Sequence, residues 1–458
     1  MATARPHVAL IAFPFGTHAA PLFALARAIA AAAPGTAVSF LSTARSFATL
    51  SLAEESKNLL LVPVADGLPD AFQAPAALPP PEHIEQMIGM FMAAAAAGSL
   101  REALTAAETG NGGVRVSCVM SDAFLWMAGE VAEAVGKPWV PLWTGGPAGL
   151  SAHLYTDLLR SADGIGDGET NWRNEKLLDC VPVLGAHRVS DLPEGIVFGD
   201  LDAPVSRLLH RMAQTLPKAA AVLLNTFEGL DPAIESDFAA KFSKSLSLGP
   251  LHLLAPPFVP TPRTDHCLLW LDGRAPATVA YVSFGSFMSP PPAELAELAE
   301  GLEASGVEFL WSLKDEAKKF LPPGFLERTR DKGLVVSWAP QVEVLQHAAV
   351  GVFVMHGGWN SVLESITAGV PMISRPFFGD QRMNARSVSH VWEVGVVVEG
   401  GAMTKDGVVR ALEVVLKREE GRRMREKASK LKAAGMRAVV RPEGSSKVNF
   451  KKFLEILG

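Results

Sequence analysis

The chain has few cysteines, and they form no recognisable pattern. Its 458 residues include only three, Cys118, Cys180 and Cys267. The count is odd, and the spacings are unlike those of zinc sites or of a disulfide framework. Disulfides persist mainly in oxidising compartments. The cysteines therefore predict free thiols in a reducing compartment and no bound metal.

Long apolar runs are missing as well. The run that includes Val8 ends at Pro14, and the alanine-rich run near residue 30 is interrupted by Arg27 and Pro34. Neither resembles a signal peptide. Nothing approaches the ~20 consecutive apolar residues of a transmembrane helix. We expect a cytoplasmic protein without a membrane span, active as a monomer.

An excess of positive charge is also lacking, since the formal net charge is −6. Nucleic-acid binding depends on Lys and Arg side chains that neutralise phosphates, so we expect no nucleic-acid partner. Basic residues do concentrate between positions 405 and 458. Such a concentration is typical of solvated helix faces near a C-terminus.

Two common catalytic motifs are absent. No G-x-G-x-x-G follows the first apolar run, which argues against a Rossmann dehydrogenase. No G-x-S-x-G occurs, so no hydrolase-type serine nucleophile is indicated. A hydroxyl of the substrate is then the expected nucleophile.

What the chain does have is a repeated alternation of short apolar runs and helical patterns. The alternation starts at Val8–Phe13 and restarts at Val279–Phe284. Continuous apolar runs of this length are typical of parallel strands buried on both faces. The predicted fold class is α/β, with two Rossmann-like doubly wound domains facing across a cleft. The expected boundaries are an N-terminal domain at 1–247, a linker at 248–262, a second domain at 263–440, and a C-terminal helix in 441–458 that packs back on the first domain.

The most informative stretch runs from Trp338 to Gln381. Within it, the apolar run Val350–Met355 is followed by His356 and two glycines, and Asn360 and Ser361 then open a helical pattern. The first amides of a helix lack internal partners, and the helix dipole is positive there. Glycines let a phosphate approach the backbone closely. The stretch predicts a diphosphate site, although the two glycines alone would also suit an ordinary βαβ turn.

Three further polar residues belong to the same edge. Glu364 lies one turn beyond Asn360 on the same helix face, where a carboxylate can bind the two hydroxyls of a ribose. Asp380 and Gln381 follow the next predicted strand, Val370–Ser374. Their side chains suit a sugar with several hydroxyl groups.

A candidate general base lies in the first half. His18 follows the first predicted strand, and Asp122 follows a later strand of the same sheet. The carboxyl ends of parallel strands meet at one edge, so we expect the two side chains to be neighbours. A carboxylate beside a histidine fixes its tautomer and stabilises the imidazolium ion. His18 taken alone would also fit an ordinary loop histidine.

The pattern W-A-P-Q, H-x-G-W-N-S, E, G-V-P and D-Q within 338–381 closely resembles the signature box of the plant family 1 UDP-sugar glycosyltransferases. Those enzymes usually carry Cys or Ala where this chain has Gly357. The resemblance implies the two-domain GT-B fold and an inverting displacement at the anomeric carbon. It also implies that His18 deprotonates the acceptor hydroxyl, with Asp122 as its partner. No cofactor or metal is implied, and the D-x-D string Asp200–Asp202 is expected to be a turn.

The same resemblance implies the UDP-sugar contacts. Trp338 would stack on uracil, the Ala339 backbone and Gln341 would hold the base and ribose, and Glu364 would bind the ribose hydroxyls. The expected phosphate contacts are Thr17, Ser286, His356, Asn360 and Ser361. The expected sugar contacts are Thr144, Trp359, Asp380 and Gln381. Gln at position 381 goes with glucose in this family, whereas His there often goes with galactose, and rhamnose donors also occur.

Stretches such as FPFGTHAAP, EGIVFGD, NTFEGLDP and RPFFGDQRMNARSV resemble most closely the flavonoid 3-O-glycosyltransferases, including anthocyanidin and flavonol enzymes. By that resemblance Phe124, His153, Phe198 and Phe378 would line the acceptor pocket, because aromatic faces stack on a flat polyphenol. The predicted enzyme transfers glucose from UDP-glucose to the 3-hydroxyl of a flavonol or anthocyanidin. The alternatives are a rhamnose or galactose donor, another phenolic acceptor, or a non-catalytic nucleotide-sugar binding protein.

Overall fold

Two parallel β-sheets form the framework of the protein in a computed structural model. The structure describes residues 5–15, 17–48, 50, 56–69, 81–164, 175–254, 265–285 and 289–457. Every neighbouring pair of strands within the two sheets is parallel. The architecture is therefore the predicted pair of Rossmann-like halves.

The N-terminal sheet has the strand order β3-β2-β1-β4-β5-β6-β7. Its strands are β1 (His7–Ile11), β2 (Ala37–Ser42), β3 (Leu59–Pro63), β4 (Cys118–Asp122), β5 (Trp139–Trp143), β6 (Val222–Leu224) and β7 (Ser245–Ser247). The order reverses between β1 and β4. Ligands of such sheets bind at the carboxyl ends of the strands near this reversal.

The C-terminal sheet repeats the plan with the order β10-β9-β8-β11-β12-β13. Its strands are β8 (Val279–Ser283), β9 (Glu308–Ser312), β10 (Gly333–Val336), β11 (Val350–Met355), β12 (Met372–Ser374) and β13 (Gly395–Val397). The reversal lies between β8 and β11. The predicted diphosphate loop follows β11 directly, so it sits at that reversal.

Helices cover both faces of each sheet. In the first half they are α1 (Ala19–Ala32), α2 (Ala44–Phe47), α3 (Pro81–Ala97), α4 (Ser99–Gly110), α5 (Met127–Ala134), α6 (Pro147–Leu154), α7 (Thr156–Asp163), α8 (Pro204–Thr215), α9 (Pro232–Lys241) and α10 (Leu251–Leu254). In the second half they are α11 (His266–Asp272), α12 (Pro292–Ser305), α13 (Phe325–Arg328), α14 (Gln341–Gln346), α15 (Trp359–Ala368), α16 (Gln381–Arg386), α17 (Lys405–Lys417), α18 (Glu419–Val440) and α19 (Ser445–Ile456).

Two details differ from the sequence interpretation. The pattern Ile84–Ala107 predicts one helix, but α3 and α4 are separated at Gly98, which has a φ of 117°. Only glycine adopts that backbone conformation readily, so the chain turns there. The short edge strand β7 is also not apparent in the sequence, because two of its three residues are serines.

The two halves are joined at several places. Leu248 and Leu251, in the first part of the predicted linker, are buried in the N-terminal core, whereas 255–262 lie outside the described residues. The last helix, α19, contributes Phe450 and Phe453 to the same core, although it follows the second domain in the chain. The chain thus returns to the N-terminal core after the second domain.

Candidate active site

The candidate base and its partner meet at the edge of the N-terminal sheet. His18 caps α1, which follows β1, and Asp122 is the last residue of the adjacent strand β4. His18 Nδ1 lies 2.8 Å from Asp122 Oδ2. The other carboxylate oxygen accepts the backbone N–H of Phe124 at 2.9 Å. The geometry leaves the imidazole Nε2 with no hydrogen bond to the residues that the structure describes.

The electrostatics of this pair favour a basic imidazole. Burial by itself lowers the pKa of His18, but the charge of Asp122 and its hydrogen bond outweigh that effect, with a smaller contribution from Asp380. The pKa of His18 is therefore raised. Asp122 is fully buried, whereas 23% of the His18 side chain is exposed. The His18 side chain is thus partly exposed at the cleft, and Asp122 contacts it from the buried side.

Thr144 belongs to this cluster. It follows β5, the next strand in the sheet, and its Oγ1 lies 3.0 Å from His18 Nδ1. The sequence interpretation assigned it to the sugar, and that role stays a prediction. The structure places it beside the base, because β1, β4 and β5 are adjacent and end at the same level.

Aromatic rings surround the base. The ring of Phe124 lies 4.5 Å from that of His18, and Phe13 lies 5.3 Å away. Trp143 links Phe124 to His153, with ring separations of 5.7 and 6.0 Å. Burial lowers the pKa of His153 to about 4, so this residue is neutral near pH 7 and offers a hydrogen bond rather than a charge.

The other two predicted acceptor residues lie further apart. Phe198 is buried in the N-terminal core. Phe378 lies on the loop before α16 in the second half and is 41% exposed. The structure therefore brings Phe124 and His153 together around Trp143 near the base, while Phe378 belongs to the other half of the chain.

The predicted diphosphate loop lies between β11 and α15. Gly357 has a φ of 83°, which favours glycine, and Gly358 caps the helix. His356 stands beside this loop with a buried Nδ1 that has no hydrogen-bond partner among the described residues. Burial lowers the pKa of His356 to about 4. A buried polar atom without a partner is rare in a folded protein, and at this place an anionic ligand would supply the partner.

Gln341, Ser361 and Glu364 form a polar cluster on the other side of the loop. The amide of Gln341 donates to Glu364 Oε2 at 2.7 Å and to Ser361 Oγ at 3.1 Å, and the hydroxyl of Tyr281 donates to Gln341 Oε1 at 3.2 Å. Burial raises the pKa of Glu364 to about 7, although its bond from Gln341 opposes the rise. The charged form of such a buried carboxyl group is stabilised by hydroxyl groups that donate hydrogen bonds to it, such as those of a ribose.

Three of the remaining residues that were expected to contact the UDP-sugar lie in the described part of the chain. Trp338 is 70% exposed, as a stacking platform requires, and the next residue, Ala339, is buried. Thr17 is exposed just before α1. Ser286 lies outside the described residues. Their predicted contacts with UDP stay predictions.

Asp380 belongs to the second half, but its side chain bonds to a residue of the first half. Its Oδ2 accepts the backbone N–H of Gly146 at 3.0 Å and the side-chain amide of Asn384 at 3.1 Å. Burial raises its pKa, and these hydrogen bonds oppose the shift. Gln381 turns its Oε1 to the backbone N–H of Phe377 at 2.9 Å. The Asp-Gln pair is therefore close to the loop after β5, across the cleft from its own sheet.

Two residues of the signature stretch also bond to the N-terminal domain. The indole N–H of Trp359 donates to the backbone oxygen of Asn225 at 2.6 Å. The side chain of Asn225 donates to Asn360 Oδ1 at 3.3 Å. Trp359 was expected to hold the sugar, and that role stays a prediction. Its indole is engaged in the contact between the domains.

Sequence reasoning missed Asn225, Gly146 and Asn384. Asn384 donates to the oxygen of Gly357 at 3.0 Å and ties the sugar loop to the diphosphate loop. All three make contacts with residues distant in the chain, so no local spacing signals them. Asn225 and Asn384 do occur in quoted family-like stretches, which is the one signal that could have marked them.

Neither a metal cluster nor a membrane span is found in the part of the chain that the structure describes. No group of three or more His, Cys, Asp or Glu side chains is arranged there to hold a metal ion. Asp200 accepts the backbone N–H of Asp202 at 2.9 Å, as in a turn. No single helix among these residues is long and apolar enough to cross a membrane, although residues 85–97 and 99–110, bent by 64°, would meet the length and composition criteria as a pair.

Comparison with known proteins places this arrangement in a family. The family model described as UDP-glucoronosyl and UDP-glucosyl transferase matches residues 81–432. The chain therefore belongs to this family of UDP-glycosyltransferases, and the predicted enzyme class is confirmed. The predicted likeness to the plant flavonoid 3-O-glycosyltransferases is confirmed by the relatives described next.

A myricetin 3-O-rhamnosyltransferase of Crocosmia x crocosmiiflora is 51% identical over 455 residues, 99% of this chain and 98% of the relative. A flavonol 3-O-glucosyltransferase of Arabidopsis thaliana is 46% identical over 458 residues, 99% of this chain and 97% of the relative. The crystal structure of a UDP-glucose:anthocyanidin 3-O-glucosyltransferase in complex with UDP matches with a TM-score of 0.90 at 37% identity, covering 99% of both chains. This match confirms the GT-B fold.

Proposed function

We propose that the protein transfers a sugar from a UDP-sugar to the 3-hydroxyl of a flavonol or anthocyanidin, with inversion at the anomeric carbon. The observation that carries the proposal is the contact of 2.8 Å between His18 Nδ1 and Asp122 at the edge that faces the donor loop. With Nδ1 held there, Nε2 is the atom that takes the proton of an acceptor hydroxyl. The aromatic rings around His18 suit a flat phenolic acceptor.

The reaction is one displacement. The acceptor oxygen forms a bond to the anomeric carbon as its proton passes to His18 Nε2, and the bond from that carbon to the phosphate oxygen breaks. The electron pair of that bond leaves with UDP. Asp122 stabilises the imidazolium ion that results. No co-reactant beyond donor and acceptor is needed for the atoms to balance.

The leaving diphosphate meets donors from the second half. The first amides of α15 point at it, and the helix dipole is positive there. His356 lies just before this helix, and Asn360 and Ser361 lie in its first turn. These groups stabilise the charge that develops on the leaving oxygen, so we propose a transfer that proceeds without a metal.

Glucose is the proposed sugar. The support is Gln381, whose side-chain oxygen is held by the loop at Phe377, so that its NH2 group is left to donate to a sugar hydroxyl. The second candidate is rhamnose. It is favoured by the 51% identity to a rhamnosyltransferase, whereas the glucosyltransferase relative is 46% identical.

A binding protein without catalysis is the rival from another class. A nucleotide-sugar binder gains nothing from a histidine held by a fully buried carboxylate. A buried carboxylate is unfavourable unless it is paired and hydrogen-bonded. The preserved pair therefore supports an enzyme.

The test is a transfer assay followed by mass spectrometry, with EDTA present. Quercetin, myricetin and cyanidin are each offered UDP-glucose, UDP-galactose and UDP-rhamnose. We expect a product that gains one sugar, fastest with UDP-glucose. A faster reaction with UDP-rhamnose would show that rhamnose, and not glucose, is the sugar transferred. UDP binding without a product from any pair would contradict the proposed acceptor class, and loss of transfer in EDTA would contradict the metal-free mechanism.

A further inference from the structure

Asn225 lies where three parts of the molecule meet. It follows β6 of the N-terminal sheet and is almost fully buried. Its side chain contacts the segment that leads toward the second domain at Leu251, and it also contacts Asn360 in the first turn of α15. The proposed reaction assigns no role to it.

The contact with Leu251 fixes the orientation of the Asn225 amide. A backbone N–H only donates, and that of Leu251 lies 3.0 Å from Asn225 Oδ1. The oxygen and nitrogen of an asparagine amide are otherwise assigned from their hydrogen bonds. Because the oxygen end is committed to Leu251, the NH2 end faces Asn360, whose Oδ1 lies 3.3 Å away.

The orientation of the Asn360 amide follows from that of Asn225. Its oxygen accepts from Asn225, so its NH2 group is the end left for the diphosphate loop. An anion requires donors, whereas a carbonyl oxygen turned toward it would repel it. We infer that Asn225 is a positioning residue for the donor site. A relay from Leu251 N–H through Asn225 to Asn360 sets the polarity with which Asn360 meets the diphosphate.

The surrounding packing holds Asn225 in place. Its backbone oxygen accepts the indole N–H of Trp359 at 2.6 Å, and its backbone N–H donates to the oxygen of Trp143 at 3.1 Å. A Cβ at Gly249 would lie 2.7 Å from Asn225 Oδ1, so the segment approaches this closely only because that residue is glycine. The relay is therefore fixed at its backbone and at its side chain.

This inference rests on the proposed function, because it requires a diphosphate beside Asn360. The informative variant is Asn225→Asp, which keeps the shape and still accepts from Leu251. Its second oxygen cannot donate, so Asn360 must turn its NH2 toward it and its own oxygen toward the phosphates. Calorimetry would measure the affinity of each protein for UDP and for uridine. We expect UDP affinity to fall about tenfold or more, and uridine affinity to change less than about twofold.

A variant at Asn360 separates the relay from repulsion through space. In an Asn360→Ala background the relay has no terminal group, so adding Asn225→Asp should no longer weaken UDP binding. An equal loss in that background would show that the new charge acts directly, and the relay would be wrong. Asn225→Ala tests the relay a second time, because it removes the hydrogen bond to Asn360 without adding a charge. Its smaller loss of UDP affinity should likewise vanish in the Asn360→Ala background.

Asn449→Asp is the matched control. Asn449 is also buried, and its amide donates to Glu228 Oε1 at 2.7 Å and to the backbone oxygen of Ser247 at 3.2 Å, but it lies on α19, which packs on the N-terminal core and not at α15. The ratio of UDP to uridine affinity should be that of the wild type. An Asn225→Asp protein with the wild-type ratio would overturn the relay alone. A wild-type protein that fails to bind UDP would overturn the donor site and the relay together.

Discussion

Asp122, at the edge of the N-terminal sheet, and His356, at the edge of the C-terminal sheet, differ in how far the protein itself satisfies their polar atoms. Asp122 uses both carboxylate oxygens, on His18 and on the N–H of Phe124. His356, in contrast, keeps a buried Nδ1 without a partner among the described residues. In the proposed reaction the base is therefore held by the protein alone, whereas the donor would supply the missing hydrogen bond at the other edge.

The pKa values show the same difference. The pKa of His18 is raised although burial lowers it, because Asp122 supplies the opposite charge. The pKa of Glu364 is raised to about 7 because burial prevails there. A charged group that is paired within the protein is stabilised without a ligand. A charge without a pair lowers the stability of the unliganded fold and is stabilised on binding.

Removing the base gives the largest expected effect. In His18→Ala no group takes the acceptor proton, so kcat should fall about 10²- to 10⁴-fold. The donor site is on the other sheet, so UDP affinity should stay within about twofold of the wild type. Transfer kinetics and calorimetry on the same preparation measure both values. Transfer near the wild-type rate would show that His18 is not the base.

Removing the charge beside the base should have the next largest effect. Asp122→Asn keeps the shape but withdraws the carboxylate that raises the pKa of His18, and kcat should fall about a hundredfold. The base acts in its neutral form, so activity declines as the pH falls through its pKa. The variant should therefore shift the acidic limb of the kcat/KM profile to lower pH. A limb that stayed in place would mean that another group controls it.

Glu364→Gln tests the donor side. Loss of the carboxylate should raise the donor KM about tenfold, since hydrogen bonds to charged groups are the stronger ones. The same variant should change the stability of the unliganded protein. A raised carboxyl pKa contributes stability that is fully present below the unfolded value near 4.5 and is lost as the pH rises through about 7.

It follows that Glu364→Gln should gain stability relative to the wild type between pH 5 and pH 8, by about 1–3 kcal/mol. Urea denaturation at the two pH values measures the gain. Glu343→Gln is a useful control, because Glu343 contributes to the shift of Glu364 through its charge, and its removal should produce a smaller change of the same sign. A gain in stability that did not depend on pH would show that the pKa of Glu364 is not raised in the folded protein.

The framework of the molecule was predictable because parallel strands are buried on both faces. The continuous apolar runs at Val8–Phe13 and Val350–Met355 match the strands β1 and β11 closely. Strand ends then place His18 beside Asp122, since adjacent parallel strands end at one edge. Residues that follow strands directly could be assigned to the cleft from the sequence alone.

Contacts between the domains were not predictable in this way. The sugar roles of Trp359 and Asp380 stay predictions, and the structure adds that their side chains bond to Asn225 and to Gly146 of the other domain. Which way a side chain in a first helical turn points depends on how the two sheets face each other. No pattern within one sheet carries that information, and the turn at Gly98 was missed because the helical pattern continues on both sides of it.

The smallest expected effect concerns how the first domain supports the sugar loop of the second. Glu194 accepts from Arg382 at 2.8 Å and from the N–H of Gly379 at 3.1 Å, just before Asp380. Both side chains are partly exposed, at 44% and 26%, and exposed pairs contribute at most about 1 kcal/mol. Glu194→Gln should therefore raise the donor KM about two- to threefold at low salt, and less at high salt. The control Glu399→Gln removes an exposed pair with Arg410 within the second domain and should leave the donor KM unchanged. If the two variants behaved alike, the donor edge would be ordered by its own domain, and the N-terminal domain would contribute only the base and the acceptor pocket.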